Sequence, residues 1–255
     1  MKHMAKSLGI LILSILAIHL IYVGYIWPEA EHILEASKQA GTSAPRDLII
    51  ILKDAEQEIC FILMLWGIFL IGDRCFNIVK DGYLYDVDLL DTSGAEEEGL
   101  SSILSKIENL PVKIRSSPLI QTLTSSIRRY LITDDVQNTS DAIETSVDAL
   151  ALRQEAGNSM IRYLIWAIPS IGFIGTVRGI GAALSQADQA LAGDISGMTN
   201  SLGVAFNSTL VALVISILLM FLLHQLQRLQ DNQIVDTQAY CEKFLLNRIS
   251  KLGDL

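Results

Sequence analysis

Hydroxyl-bearing and small residues recur at helical spacing in two apolar segments toward the C-terminal end of the sequence. Thr176 lies beside one row of small residues, and Thr209 lies beside another. The first row consists of Gly172, Gly175, Gly179 and Ala183, and the second of Ser201, Ala205, Ser208, Ala212 and Ser216. In lipid, small residues let helix backbones approach closely. Two facing rows that also carry hydroxyl groups predict a narrow, partly polar seam that can solvate an ion or a proton.

Each of these features also has a simpler interpretation. A membrane threonine can return its hydroxyl to the carbonyl four residues earlier. Glycine spacing is explained equally well by ordinary packing inside one chain. Neither apolar segment carries an acidic residue in its core, so we expect a titrating group to be supplied from elsewhere.

Two further residues of the first segment affect how the seam would work. Pro169 lies near one end, where its missing N–H and its ring predict a kink. Arg178 lies two residues beyond Thr176, and a charge at this depth is costly unless it pairs or reaches the headgroups. We expect Arg178 to reach the headgroups or to pair with Asp188 or Asp194; if it faced the pore instead, it would tend to repel cations.

The composition places the chain among membrane proteins. Of 255 residues, 51% are hydrophobic and 18% are charged, and the apolar residues occur in blocks. The net charge of −9 and the scattered Lys and Arg residues argue against nucleic-acid binding. Three widely spaced cysteines exclude a disulfide scaffold.

Four apolar blocks predict four transmembrane helices. The run 8–27 is long enough to cross the bilayer, and we interpret it as an uncleaved anchor. The run 59–72 is shorter and needs extension at its ends, with a re-entrant or surface helix as the alternative. The blocks 163–184 and 202–223 form a hairpin. Basic residues are frequent in 73–160 and absent from 185–200, which predicts cytoplasmic termini and a cytoplasmic middle segment.

The predicted architecture is an all-α integral membrane protein with a helical cytoplasmic segment between the second and third spans. We expect the middle segment to be too poor in apolar residues for a core of its own, and 86–99 to be a solvated acidic loop. The predicted segments are an N-terminal anchor at 1–27, an external loop and helix extension at 28–58, a second transmembrane helix at 59–79, a cytoplasmic helical segment at 80–160, a transmembrane hairpin at 161–224, and a cytoplasmic tail at 225–255.

The hairpin resembles the MotA/TolQ/ExbB proton channel family. Residues 167–180, AIPSIGFIGTVRGI, are similar to that family's proline, Gly-x-x-Gly-Thr-Val and Gly-Ile pattern. Residues 202–216, LGVAFNSTLVALVIS, resemble its last helix, with Ala205 and Thr209 at the matching positions. Ala212 stands where a glycine is usual, and Arg178 stands where a large apolar residue is usual.

This resemblance implies an ion-driven motor subunit of the bacterial inner membrane. Five copies would form a ring around two copies of a single-span partner similar to ExbD, TolR or MotB, which carries a membrane aspartate. Thr176, Thr209 and Ser208 would then line the route of H⁺ or Na⁺. The tasks of this family range from motility and protein import to envelope maintenance, gliding and defence.

An enzyme is not expected. The sequence has no nucleophile–base pair, phosphate-binding loop or cluster of metal ligands, so no cofactor is predicted. The alternative function is a non-conducting membrane scaffold that assembles partner subunits through the same small-residue helix faces.

Overall fold

The computed structural model describes residues 2–39, 47–90 and 99–253, and all regular structure in these ranges is helical. Four helices in the described ranges are long and apolar enough to cross a membrane. The all-α class with four membrane-capable helices is therefore confirmed. Part of the predicted 28–58 segment, at 40–46, and most of the predicted acidic loop, at 91–98, lie outside the described residues.

The helices follow one another with short connections. In chain order they are α1 (Lys2–Ile21), a π-helical turn (Tyr22–Ile26), α2 (Trp27–Gln39), α3 (Leu48–Leu52), α4 (Ala55–Asp81), a 3₁₀ turn (Gly82–Tyr85), α5 (Leu100–Glu108), α6 (Val112–Arg115), α7 (Pro118–Thr133), α8 (Val136–Gly157), α9 (Ser159–Leu184), α10 (Ala187–Leu191), α11 (Ser196–Tyr240), a second π-helical turn (Cys241–Leu246) and α12 (Asn247–Gly253). They form two compact units, Met1–Gly72 with Met160–His224, and Asp73–Ser159 with Gln225–Leu255.

Helical structure continues beyond the predicted anchor. From α1 it passes through the π-helical turn into α2, which ends at Gln39, and the Trp27 N–H bonds to the Tyr22 carbonyl. Pro28 follows immediately and cannot donate to the carbonyl of Gly24, so the usual α-helical bond is missing at this point. A widened turn accommodates this loss without ending the helix.

Hydrogen bonds join α1 and α2 to α4 and the residue Lys53 before it, in antiparallel order. The indole N–H of Trp66 donates to Ser7 at 3.2 Å, His19 contacts Glu58 at 2.8 Å, and the Trp27 indole donates to the Lys53 carbonyl at 3.0 Å. Tryptophan and histidine are suited to this task because each combines an apolar body with a polar tip.

The start of α4 is set by Asp54 and Gln57. The Gln57 side chain accepts the backbone N–H of Asp54 at 2.8 Å, which is one half of a capping box. Glu56 and Glu58 occupy the first helical turn, where the helix dipole favours negative charge. The helix therefore begins with acidic residues immediately before its apolar run.

A single residue, Asn158, separates α8 from α9. The last long helix, α11, contains 45 residues. At about 1.5 Å per residue it is more than twice as long as the ~30 Å hydrocarbon core of a bilayer.

Pro169 lies inside α9, and a neighbouring helix compensates for its missing hydrogen bond. Proline cannot donate to the carbonyl four residues earlier, which is that of Ile165. The hydroxyl of Ser216 in α11 donates to this carbonyl at 2.9 Å, and the Ser216 side chain is buried. The two helices are thus joined at the position where α9 lacks an internal bond.

The second unit has a hydrophobic core, contrary to the expectation from composition. Ile120, Leu123 and Ile127 of α7 are fully buried against residues of α5, α8 and the C-terminal tail. The prediction failed because helical spacing gathers the apolar residues of 73–160 on the inner faces of the helices. The tail, which is distant in sequence, adds Tyr240, Cys241, Leu245 and Ile249 to the same cluster. Composition counted over 73–160 alone could not include them.

Tyr240 connects the tail to the segment that follows α4. Its hydroxyl donates to the Val87 carbonyl at 2.8 Å and accepts the Leu89 N–H at 2.7 Å. Nearby, the Tyr85 and Thr237 hydroxyls lie 2.9 Å apart. Backbone groups without helical partners are satisfied in this way.

Truncation in the core of the second unit tests this packing. Ile127→Ala removes a fully buried side chain and should lower the free energy of unfolding by about 2–5 kcal/mol. Ile132→Ala makes the same chemical change on the same helix at a site that is 81% exposed, and should have little effect. Thermal unfolding of the detergent-solubilised chain measures both. Equal shifts in the two variants would contradict the described core.

A double-mutant cycle tests the Ser216–Ile165 bond. Ser216→Ala should destabilise the chain by roughly 0.5–2 kcal/mol, because the Ile165 carbonyl loses its donor. In a Pro169→Ala background the loss should be smaller, since alanine at this position restores a backbone N–H. Unfolding in detergent gives the four free energies. Ser170→Ala is the control, because Ser170 is exposed and donates within its own helix. Purely additive effects of the two changes would exclude the compensation.

Candidate functional site

The two threonines of the predicted seam meet between α9 and α11. The Thr176 and Thr209 hydroxyls are hydrogen-bonded to each other. Thr176 also reaches the Ala205 carbonyl at 2.9 Å, and Thr209 reaches the Gly172 carbonyl at 3.2 Å. Both residues are half-buried. The structure therefore brings together two residues that are 33 positions apart in sequence.

The hydroxyl groups retain capacity to bind a cation. Each carries one proton and two lone pairs, so each donates only one of its possible bonds at a time. When Thr176 donates to Ala205 and Thr209 donates to Thr176, both lone pairs of Thr209 and one of Thr176 remain free. An alcohol pair of this kind offers oxygen ligands to a proton carrier or a sodium ion.

Glycine makes the close approach of α9 to α11 possible. A β-carbon at Gly172 would lie 2.5 Å from the β-carbon of Ala212, and one at Gly179 would lie 2.7 Å from the backbone nitrogen of Ala205. These separations are shorter than atoms allow, so a larger residue would force the helices apart. Ala183, Ala205 and Ala212 are buried as well. All six residues predicted for helix packing lie in buried positions.

Ser208 lies next to this contact but does not share the position of the threonines. It is buried, and its hydroxyl donates to the Val204 carbonyl of its own helix at 2.9 Å. A β-carbon at Gly175 would come within 2.6 Å of this hydroxyl. Ser208 thus lies beneath Gly175, directly beside Thr209 in sequence.

Arg178 pairs with acidic residues of α4 and its N-terminal flank rather than with the loop acids that we expected. Its guanidinium lies 2.7 Å from the Glu56 carboxylate and 3.8 Å from that of Asp54. Asp194, one of the expected partners, accepts hydrogen bonds from the hydroxyl and the backbone N–H of Ser196, which lower its pKa.

Glu56 also corrects the inference that this chain brings no carboxylate to the hairpin. Its Cγ would lie 3.3 Å from a β-carbon at Gly175, so the side chain passes directly over α9 beside the seam. Its side chain is 11% exposed. The inference was drawn from the two hairpin helices alone, whereas α4 supplies the acid.

Sequence reasoning missed three contributions to this region. Glu56 and Glu58 appeared to belong to a polar extension, although acids in the first turn before an apolar run are a signal for a helix start. The donor role of Ser216 also went unnoticed. It was accessible in principle, because a proline inside a membrane helix leaves the carbonyl four residues earlier in need of a donor.

Comparison with known proteins agrees with this geometry. Residues 115–239 match the model of the MotA/TolQ/ExbB proton channel family. The matched range includes all of α9, the Thr176–Thr209 contact and most of α11. The chain has no significant match among curated proteins or among solved structures. On this match, the segment 115–239 belongs to the MotA/TolQ/ExbB proton channel family.

Proposed function

We propose that this chain is the ring-forming subunit of an ion-driven motor in the bacterial inner membrane. Several copies, five by resemblance to the family, would surround a single-span partner that carries a membrane aspartate. H⁺ or Na⁺ would pass between that aspartate and the Thr176–Thr209 seam. The ion flow would drive rotation or force, with the termini and the second unit in the cytoplasm.

The observation that carries this proposal is the paired threonine hydroxyls at the half-buried edge of two closely packed helices. Membrane helices bury hydroxyl groups at low cost only where they find partners. Here each hydroxyl has hydrogen-bond partners and the pair also keeps free lone pairs. Conduction requires a site of this kind, which binds an ion weakly enough to release it. The proposed chemistry is transport, without enzymatic turnover or a bound cofactor.

The membrane potential can drive stepwise movement of the partner past identical subunits. Moving one elementary charge through 100 mV supplies about 2.3 kcal/mol, which is enough to bias a step between equivalent subunits. A partner carboxylate that is neutral when protonated could move past an apolar wall and stop at each pair of hydroxyls. Identical subunits around the partner would repeat the step.

A non-conducting scaffold is the second candidate, and one observation favours it. The hydroxyls of Thr176 and Thr209 are satisfied within a single chain, by each other and by the Gly172 and Ala205 carbonyls. Such bonds would hold α9 against α11 even if no ion passed. The two functions differ in what the loss of the hydroxyls does to output.

Substitution of the threonines distinguishes conduction from assembly. Thr176→Val and Thr209→Val keep the shape of the side chain and remove the hydroxyl. Each should leave the complex with its partner intact and reduce ion-dependent output roughly tenfold, the equivalent of about 1.4 kcal/mol for one lost polar contact. Proton or sodium flux into vesicles that contain the co-expressed pair measures this output.

Thr199→Val is the matched control. Thr199 is exposed on α11, and its hydroxyl donates to the Ile195 carbonyl, one turn earlier along the chain. This variant should conduct normally. If all three variants assemble and conduct as the unsubstituted complex does, the hydroxyls have no role in transport and the scaffold is favoured.

A further inference from the structure

Charged residues surround Arg178 at the end of the seam that adjoins α10, which we call the loop end. Glu56 and Asp54 are its two carboxylate partners. Asp54 also lies 3.2 Å from the Lys53 ammonium. The formal charges of these four residues sum to zero, so the positive charge of Arg178 is balanced by α4 and the residues just before it.

Glu56 is the main counter-charge of Arg178. Its carboxylate is the nearer of the two, and its side chain is 11% exposed, whereas that of Arg178 is 54% exposed. The buried side of Arg178 therefore depends on Glu56 for a counter-charge. Glu58, two residues along, faces His19 of α1 instead.

The Glu56–Arg178 ion pair lies within one helical turn of Thr176. Gly175 and Arg178 are three residues apart and share a face of α9. Glu56 spans this turn, because its Cγ lies 3.3 Å from the place of a β-carbon at Gly175 and its carboxylate accepts a hydrogen bond from the guanidinium at 2.7 Å. Thr176 adjoins Gly175 in sequence, and Ser208 beneath Gly175 adjoins Thr209. An ion that reached the hydroxyls from the loop end would thus pass through the field of this pair.

Two further buried polar atoms lie near the Glu56–Arg178 ion pair. Asp54 Oδ2 and Gln57 Nε2 are buried and have no hydrogen-bond partner among the described residues. Buried polar atoms are normally satisfied by protein, water or an ion. The region next to Arg178 is therefore built to be polar, although it begins an apolar helix.

We propose that Glu56 is a specificity-determining residue for the proposed transport function, because it cancels the charge of Arg178 and so lets cations enter the seam from the loop end. Without Glu56, the guanidinium would repel cations at this entrance. Arg178 in turn donates to the Glu56 carboxylate and orients it along α9. This inference rests on the proposed function for its biological meaning, but the charge balance itself is measurable without transport.

A cysteine probe reads the local potential directly. Gly181 is exposed, lies one turn beyond Arg178, and a β-carbon there would meet no atom within 4 Å. Gly181→Cys is introduced into a Cys75→Ser chain, in which Cys60 and Cys241 are buried. The purified chain is treated with cationic ethyltrimethylammonium and anionic ethylsulfonate methanethiosulfonates. The ratio of the two reaction rates reports the sign of the local potential, and the Cys75→Ser chain alone gives the background.

Charge substitutions should move this ratio in opposite directions. Glu56→Gln should lower the ratio of cationic to anionic rates by roughly tenfold, the lower end of the range over which a charged cleft changes local ion concentration. Arg178→Gln should raise it, and the Glu56→Gln/Arg178→Gln double variant should return it toward the starting value. Glu58→Gln is the matched control, because it makes the same change at a buried acid that faces His19.

Flux through the co-expressed complex should follow the same order. Glu56→Gln should lose cation flux roughly tenfold, and the double variant should recover it, although it lacks the ion pair. A purely structural role predicts that the double variant is as impaired as the single one. That result, or a rate ratio unchanged by Glu56→Gln, would overturn the inference. If the unsubstituted complex shows no flux, the proposed function fails, while the reagent ratios still decide the charge assignment.

Discussion

Close contact between α9 and α11 is the constraint on which the rest of the first unit depends. In lipid, burying an apolar side chain against another helix gains little, because the acyl chains are equally apolar. Association must come from dispersion between backbones at short range and from hydrogen bonds. Gly172 and Gly179 provide the first of these, since any β-carbon at either position would collide with α11. The hydroxyl bonds of the seam are possible only at this separation.

The same closeness explains why polar groups of this unit are matched across helices. The Ser216 hydroxyl replaces the backbone donor that Pro169 lacks. Thr176 and Thr209 share their protons with carbonyls of the facing helices. Glu56 lies over Gly175 because no side chain intervenes. A polar group left alone in the membrane is costly, so these pairings restrict the helices to one register.

The ion pair of Arg178 also bears on the proposed cation route. Arg178 viewed by itself argues against conduction. Its pairing with Glu56 and Asp54 removes that objection, since the net charge and not the individual residue sets the local potential.

The second unit is stabilised differently, with a core of isoleucine and leucine from α5, α7, α8 and the tail. There the hydrophobic effect acts in the ordinary way.

Local patterns in the sequence determined the all-helical class, the four apolar blocks, the small-residue rows and the two threonines, because helix periodicity and span length are properties of contiguous residues. Only the tertiary structure decided which acid approaches Arg178, which hydroxyl serves the proline, and how the tail completes the second core. Each of these joins residues that are dozens to more than a hundred positions apart. Their pairing follows from the antiparallel order of packed helices, and no local pattern encodes that order.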